Sequence, residues 1–295
     1  MYNNCRLFLR KLINKFWQFE PTFPHAGLGP IGYLRHVQNT RETGSRKNPD
    51  DHVKYFLKRM ERLHARREDL QTFRMRPFYH YLLARTLFYE KVFVDAIANN
   101  FKQLIIIGVG TDTRSFRYRK AIDAHGVRVI ENDLQPWMRR RAILSKKLAR
   151  PSDFRQVEMD LERINFDDWI RVSQFDGNLK TQFIMEGVTP YITPGALAAL
   201  LSFVGMHTLS GSRIAYDFKL VGYDFKLAKE QEPLNPTDET FRMPVEHAQI
   251  SEFHRNFNLD VKTILLAGDV QHEFLAYDYE TSEYVEDGVI VASVS

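Results

Sequence analysis

Glycines and acids follow strand-like segments of this chain, and their types suit the binding of a nucleoside. Gly108 and Gly110 directly follow an apolar run that begins at Leu104. Glycines allow a ligand to approach the backbone closely, because no Cβ stands in the way. The next segment ends in Glu131 and Asp133, about 20 residues farther on, where a carboxylate can accept both hydrogens of a ribose diol.

A third acid extends this pattern to the following segment. Asp160 ends the run after Glu158 and Met159, at a place where the edge of an adenine could be met. Ligands of open α/β sheets bind beyond the carboxyl ends of the strands, so the three strand ends together predict one nucleoside cleft. The G-x-G-x-x-G pattern of dinucleotide-binding proteins is incomplete, because Thr113 stands where its third glycine belongs. A second interpretation is that the acids only cap the helices that follow them.

Strand and helix patterns alternate after residue 100, and this alternation is typical of an α/β fold. The helical segments between the strands include Gln135–Leu148 and Pro194–Leu209. Alternation of this kind predicts a seven-stranded, mostly parallel sheet with helices on both faces. The predicted strands are Leu104–Val109, Val127–Asn132, Phe154–Met159, Phe183–Gly187, Arg213–Phe218, Val261–Leu266 and Val289–Val294.

The first 100 residues have a different pattern, which predicts a helical cap or lid on a core of residues 101–295. Residues 4–19 have the spacing of an amphipathic basic helix, which we expect to dock on the core, although an organelle presequence or a membrane-surface helix has the same pattern. Residues 20–32 hold three prolines and three glycines and predict a loop. Residues 50–70 mix charges and apolar groups at helical spacing, and a long helix is predicted from Pro77 to Asn99.

A stretch at about 219–245 interrupts the core between the fifth and sixth strands and contains three prolines. Aromatic residues are dense around it and near the amino terminus. We therefore predict that the insert and the N-terminal helices form a lid over an acceptor pocket. The aromatic residues concerned include Trp17 and Phe225.

Composition and charge limit the classes of protein that the chain can represent. With 295 residues, 44% of them hydrophobic, the chain is not a disordered one. Cys5 is the single cysteine, which excludes a disulfide framework and favours a reducing compartment, the cytoplasm. No apolar run is long enough for stable membrane insertion. Residues 1–90 hold 17 basic and 8 acidic groups, whereas the remainder has 24 and 29.

Five motifs in the same order resemble those of the leucine carboxyl methyltransferase family. Residues 75–220 carry most of the resemblance. Its strongest pair is the G-x-G-x-D-T-R segment that ends at Arg114 and the E-G-x-x-x-Y segment that ends at Tyr191. The motifs are Ala84-Arg-Thr86, Gly108-x-Gly-x-Asp-Thr-Arg114, Glu131-Asn-Asp-Leu134, Asp160-Leu161 and Glu186-Gly-x-x-x-Tyr-x-x-Pro194. The resemblance implies a class I, Rossmann-like fold with an antiparallel strand near the carboxyl end, and S-adenosyl-L-methionine as cofactor.

Roles of individual residues follow from the resemblance. Arg85 would pair with the methionine carboxylate of the cofactor, since a guanidinium can donate two parallel hydrogen bonds to a carboxylate. Gly108 and Gly110 would lie beneath the methionine and ribose. Asp133 would hold the ribose hydroxyls, with Glu131 as the alternative.

Three further positions complete the implied site. Asp160 would accept a hydrogen bond from the adenine amino group, and the backbone of Leu161 would meet the ring. Glu186 would face the amino group of the cofactor, where its charge also favours a sulfonium. Tyr191 is placed to position the acceptor.

The sequence therefore predicts transfer of a methyl group to an oxygen of a small molecule, either a carboxylate or a hydroxyl. A carboxylate needs no general base, whereas a hydroxyl would benefit from one, for which His207, His247 and His254 are the candidates. Asp112 and Arg114 are expected to brace each other or their loop. The alternatives are methylation of a protein C-terminal carboxylate and non-catalytic binding on the same fold.

Other kinds of site are disfavoured by the sequence. The histidines are scattered, so no metal site is predicted. The basic groups of 139–141 and 146–147 lie on a predicted helix, where a solvated face is expected, and no nucleic-acid-binding module accompanies them. The expected partner is thus a small-molecule acceptor, with neither a nucleic acid nor a stable membrane anchor. The formation of a homo-oligomer is compatible with the sequence.

Overall fold

A computed structural model describes residues 28–57, 62–63, 65–67, 69–75, 77–219, 250–275 and 287–295. One seven-stranded sheet organises them, with the spatial order β3-β2-β1-β4-β5-β7-β6. The strands are β1 Gln103–Ile107, β2 Arg128–Asp133, β3 Phe154–Glu158, β4 Thr181–Met185, β5 Arg213–Lys219, β6 Leu259–Leu266 and β7 Asp287–Val294. All seven predicted strands are confirmed, with ends that differ by at most a few residues.

The direction of the strands also follows the prediction. Strands β1 to β5 pair in parallel, and β7 lies antiparallel between β5 and β6. The order reverses between β1 and β4, so the carboxyl ends of these neighbouring strands open a crevice at one edge of the sheet. The glycines and acids that were predicted to form a nucleoside cleft follow strands that end at this edge.

Helices cover both faces of the sheet, and β1 shows why. Ile105 and Ile107 pack in one apolar cluster, whereas Leu104 and Ile106 pack in the other. A central parallel strand buried on both sides reads as a continuous apolar run, which is what made β1 easy to predict. The helices are α1 Leu28–Arg41, α2 Leu70–Arg74, α3 Pro77–Ala98, α4 Arg114–Arg117, α5 Arg119–Ala124, α6 Gln135–Leu144, α7 Phe166–Ser173, α8 Pro194–His207, α9 Ile250–Arg255 and α10 Ala267–Leu275.

The long helix α3 ends as its sequence predicts. Asn100 takes the left-handed conformation with φ 64°, and the amide of Phe101 donates to the carbonyl of Ala96. Asparagine tolerates this conformation and commonly terminates helices in such a motif. Residues of α3 share an apolar cluster with β1, so this helix contributes to the same core as the sheet. The division of the chain at residue 100 stays a prediction.

Two expectations about the first hundred residues need correction. Residues 28–32 are not part of a loop, because α1 begins at Leu28. Pro30 falls in its first turn, where a missing N–H breaks no intrahelical bond, and a Cβ at Gly32 would lie 3.2 Å from Cγ2 of Thr111. Between residues 50 and 57 the backbone forms a 3₁₀ turn, Val53–Phe56, because the Asp50 carboxylate accepts from two amides there.

Several predicted segments lie outside the described residues. They include the basic helix over 4–19, residues 220–245 of the insert, and the side chains of Trp17, Phe225 and His247. In the part of the chain that is described, no helix combines the length and apolar character needed to cross a bilayer.

Candidate active site

The turn after β1 is built from two glycines in left-handed conformations. Gly108 has φ +63° and Gly110 has φ +44°. A Cβ on Gly108 would lie only 2.2 Å from Cγ2 of Val188, so no larger residue fits there without displacing that side chain. The amide of Gly110 donates to Oδ2 of Asp133 at 2.7 Å. The structure therefore brings together both glycines and the first predicted acid.

Asp133 is the last residue of β2, and its side chain stabilises the glycine turn after β1. Its Oδ1 accepts from the amide of Leu134 at 2.8 Å, while Oδ2 accepts from Gly110. Its backbone carbonyl accepts from the amide of Met159, which ties the end of β3 to the same edge. The residue is only 9% exposed, so its carboxylate is largely buried at the end of the strand.

Glu131, the alternative ribose ligand, has a different place. Its side chain is fully buried and accepts two hydrogen bonds from Arg141, at 2.6 Å from Nε and 2.5 Å from Nη2. Gln156 donates to the same carboxylate at 2.9 Å. Glu131 is thus already paired within the core, and Asp133 is the acid that stands at the edge.

Arg141 corrects the expectation of a solvated basic face on α6. Whereas Arg139 and Arg140 are exposed, Arg141 is only 2% exposed. Its guanidinium lies between the rings of Phe56 and Phe116 and donates to the carbonyl of Gly110 at 3.0 Å. The buried acid of β2 requires a buried cation, which explains why one arginine of the run turns inward.

Asp160 and Leu161 follow β3, in the turn adjacent to Asp133. Oδ1 of Asp160 accepts from the amide of Glu162 at 3.1 Å, so the side chain stabilises its own turn, whereas the following helix is capped by Asn165. Leu161 is buried and packs in the apolar cluster that contains Trp169. Both residues stand at the predicted edge of the sheet.

Glu186 follows β4 and is surrounded by three arginines. Its carboxylate lies 2.5 Å from Nη2 of Arg35, 2.6 Å from Nη2 of Arg114 and 3.5 Å from Nε of Arg85. Burial alone would raise the pKa of Glu186, but the three guanidinium groups hold it below its ordinary value. The acid is therefore ionised at neutral pH. We call Glu186 with these three arginines the arginine cluster.

Asp112 and Arg114 brace each other, as the sequence favoured. The Asp112 carboxylate accepts from the amide of Arg114 at 2.8 Å and from its Nε at 2.9 Å. Burial opposes ionisation of Asp112, yet the adjacent Arg114 guanidinium and that of Arg35 hold its pKa well below its usual range. Arg114 thus connects the turn after β1 to Glu186.

Asp217, at the end of β5, was missed by the sequence reasoning. Its Oδ2 lies 3.2 Å from Nη1 of Arg85, and its Oδ1 accepts from the amide of Gly187 at 2.7 Å. Burial raises the pKa of Asp217 to about 6 despite the opposing effects of Arg85 and the Gly187 amide. The signal that could have found it is an acid near the end of a predicted strand, the same signal that identified Asp133.

Arg35 was missed as well, because it belongs to α1, a segment assigned in part to a loop. Three nitrogens of the arginine cluster are buried without a hydrogen-bond partner: Nε of Arg35, Nε of Arg85 and Nη1 of Arg114. Buried donors are normally satisfied, so these three nitrogens are candidates for contact with acceptor atoms of a ligand.

The candidate bases and Tyr191 occupy distinct environments. His254 is buried between the hydroxyl of Tyr216, at 2.8 Å, and the carbonyl of Ile250, at 2.6 Å, and burial lowers its pKa. His207 ends α8, with its backbone carbonyl against Gly177 in the connection that enters β4, at the edge of the sheet opposite Glu186. Tyr191 lies in a 3₁₀ turn just after Glu186 and is 41% exposed.

Comparison with known proteins gives a consistent picture. Residues 40–205 match the family model for leucine carboxyl methyltransferase. A Mycobacterium ulcerans protein with the provisional name S-adenosyl-L-methionine-dependent methyltransferase is 31% identical over 157 residues, 51% of this chain and 48% of that protein. A Mycobacterium bovis protein with the same provisional name is 30% identical over 198 residues, 66% of this chain and 59% of that protein. The chain spans only about half the length of the first relative.

Among solved structures, a DUF574 family protein from Streptomyces avermitilis shares the fold. It aligns over 90% of this chain and 97% of that chain, with a TM-score of 0.59 and 13% identity.

Proposed function

The chain belongs to the leucine carboxyl methyltransferase family, as its motifs predicted, and from this premise we propose that it is an S-adenosyl-L-methionine-dependent O-methyltransferase. The acceptor we propose is a carboxylate or hydroxyl of a small molecule. One observation carries the proposal. The glycine turn anchored by Asp133 and the arginine cluster with its unsatisfied donors lie at the ends of neighbouring parallel strands.

The residues present fit this cofactor. Arg85, Arg35 and Arg114 have buried donor atoms that lack acceptors, and a methionine carboxylate has acceptors to offer. Gly108 and Gly110 leave the backbone of the turn open to close approach. The proposed roles are therefore a carboxylate contact for Arg85 and a position beneath the methionine and ribose for the glycines.

The remaining roles lie along the edge of the sheet. Asp133 would hold the ribose diol, and Asp160 with the Leu161 backbone would meet the adenine. Glu186 would face the cofactor's amino group, and its ionised state, stabilised by three guanidinium groups, suits that role. Tyr191, the exposed residue of the next turn, would position the acceptor.

When bound, the cofactor would supply a methyl group on a sulfonium, which an acceptor oxygen would take up by in-line displacement while the carbon–sulfur bond breaks and the neutral thioether leaves. The chain's own contribution is alignment and exclusion of water, because the side chains around Glu186 are nearly all buried. Salt links between α1, the turn after β1 and the end of β4 fix their relative positions before any ligand binds.

The histidines bear on the choice of acceptor. His254 is enclosed by Tyr216 and a backbone carbonyl, and His207 lies at the far edge of the sheet. Of the three candidate bases, these are the two that the structure describes, and neither is placed to take a proton from an acceptor in the crevice. This favours an acceptor that is already anionic at neutral pH, and hence the carboxylate over the hydroxyl.

The test uses cofactor labelled in its methyl group, incubated with the protein and a small-molecule extract. We expect label in small molecules that is released as volatile methanol by mild base, because methyl esters hydrolyse there and methyl ethers do not. Glu186→Gln should abolish most of the transfer, whereas Glu273→Gln, an exposed glutamate of α10, should not.

Three other outcomes are informative. Base-stable label would indicate a hydroxyl acceptor. Label found only on added polypeptides would favour methylation of a protein carboxylate instead. Binding of the cofactor without transfer to any fraction would contradict the enzymatic proposal and favour a binding protein.

A further inference from the structure

A cavity lies in the N-terminal helical region. It has a volume of about 410 Å³ and is lined by residues of α1, of the 3₁₀ turn over 53–56 and of the segment 62–66. The lining residues are His36, Lys54, Tyr55, Arg62, Leu63 and Arg66. We call it the basic cavity.

His36 lines this cavity with a ring that has no hydrogen-bond partner. The residue is only 4% exposed, and neither Nδ1 nor Nε2 is within hydrogen-bond reach of another group. Burial lowers the pKa of His36, and the charges of Arg62, Arg66 and Lys54 lower it further. At neutral pH the ring is uncharged and carries a buried N–H without an acceptor, a costly state unless a ligand satisfies it.

The three cations around His36 also differ from the arginines of the core. Within the described ranges, Lys54, Arg62 and Arg66 form no ion pair, whereas Arg85 and Arg141 each lie against a carboxylate. Arg62 is held in place by its Nη1, which donates to the carbonyl of Lys54 at 3.0 Å. The positive charge of the basic cavity is therefore not neutralised by an ion pair among the described residues, and the guanidinium of Arg62 is fixed in position.

Apolar surface borders the same charges. Tyr55 and Leu63 are among the few large hydrophobic side chains that the described residues leave exposed, at 36% and 38%. Ligand pockets typically combine apolar lining with a few polar or charged groups. A ligand that matches both features has an anionic group and an apolar body.

We propose that the basic cavity binds an organic anion, a carboxylate or phosphate carried on an apolar group. The anionic oxygens accept from Lys54, Arg66 and the N–H of His36, and the apolar body contacts Tyr55 and Leu63. None of the residues that line the basic cavity belongs to the arginine cluster. Binding in the basic cavity does not depend on methyl transfer.

Titration with three small probes tests the proposal. Phenyl phosphate and benzoate carry the two anionic groups on one ring, and phenol has the ring without the charge. Calorimetry gives the affinities, and the ring C–H signal of His36 in NMR spectra, identified by its loss in His36→Gln, reports the place of binding. We expect both anions to bind one to one and to shift the His36 signal, and phenol to do neither.

Charge variants make the test specific. Lys54→Gln and Arg66→Gln should each weaken binding of the anions about tenfold, the effect expected for loss of a charge-assisted hydrogen bond. Arg139→Gln, an exposed arginine on α6, should leave the affinity unchanged. Thermal unfolding of each variant confirms that it is folded, and Arg66 is exposed enough for its replacement to be tolerated.

The relative affinities of the two anions identify the preferred headgroup, phosphate or carboxylate. The proposal is overturned by an unshifted His36 signal with both anions, by phenol binding as tightly as they do, or by equal losses in Arg66→Gln and Arg139→Gln.

Discussion

Two acids of β2 show how position decides the role of a carboxylate. Glu131 and Asp133 are two residues apart and point to the same side of the sheet, yet Glu131 is saturated by Arg141 and Gln156 while Asp133 anchors the glycine turn. Their sequence context is nearly the same. Only the packing of α6 against β2 distinguishes the buried ion pair from the candidate ligand.

Replacement of Glu131 should therefore affect stability first. In Glu131→Gln the Arg141 guanidinium stays buried without a full counter-charge, and we expect the free energy of unfolding to fall by about 3 to 5 kcal/mol. Glu158→Gln, an exposed glutamate of β3, should change it by less than about 0.5 kcal/mol. Urea denaturation measures both, and equal effects would contradict a structural role for the buried pair.

Residue roles could be predicted where chemistry and strand position coincide, and not where the partner is remote. The glycines and Asp133 lie within one strand–helix–strand segment, at the ends of two consecutive strands, so their proximity was visible in the sequence. Arg35 meets Glu186 across 151 positions, and Arg85 meets Asp217 across 132. Such contacts cannot be predicted from spacing along the sequence, because they depend on how α1 packs on the sheet and on where β5 lies within it.

Among the elements, the buried strands were the easiest to predict and α1 the hardest. A central strand such as β1 is buried throughout and is apolar from Leu104 onward, since both of its faces are covered. The start of α1 contains Gly29, Pro30 and Gly32, residues that usually interrupt helices. Proline is tolerated in a first turn and Gly32 is needed for a close approach to Thr111, so tertiary contacts reversed the local preference.

The turn after β1 offers a test at this scale. Gly108→Ala introduces a strained φ and a Cβ that collides with Val188, whereas Gly126→Ala has the same φ problem, at +58°, with nothing within 4 Å. We expect Gly126→Ala to cost about 1 kcal/mol of unfolding free energy, and Gly108→Ala about 1 to 3 kcal/mol more.

Denaturation of the two alanine variants gives the comparison. Adding Val188→Ala to Gly108→Ala should recover part of the steric loss and none of the strain in φ. Equal losses in Gly108→Ala and Gly126→Ala would show that Val188 does not limit the turn.

At the scale of the whole molecule, pairs of charges connect the N-terminal helices to the sheet. Arg35 of α1 and Arg85 of α3 both reach Glu186, and Asp50 accepts from the hydroxyl of Thr113. Some of the surplus basic side chains of the first 90 residues thus form ion pairs with acids of the core. The stability of the molecule should respond to pH through these buried groups.

Asp217 sets the clearest pH dependence. Its pKa in the folded protein is about 6, above the ordinary 3.8, so its contribution to stability is fully present below about pH 4 and is lost as pH rises through 6. The loss amounts to about 3 kcal/mol. Asp217→Asn cannot ionise, so its unfolding free energy relative to the wild type should rise by up to this amount between pH 4 and 7.

The matched control is Asp168→Asn, which changes an exposed aspartate of α7 that pairs with Arg171. Its stability relative to the wild type should vary little over the same range. A flat difference for Asp217→Asn would contradict a raised pKa at that carboxyl.

The central claim, that the crevice beyond β1 and β2 binds S-adenosyl-L-methionine, is tested most directly by calorimetric titration. We predict one molecule of the cofactor, or of its demethylated product, per chain. Asp133→Asn should weaken binding about 10- to 100-fold, as expected for loss of a hydrogen bond to a charged group, and the exposed Asp167→Asn should bind like the wild type. No binding of either ligand to the wild-type protein, or unchanged affinity in Asp133→Asn, would contradict the account.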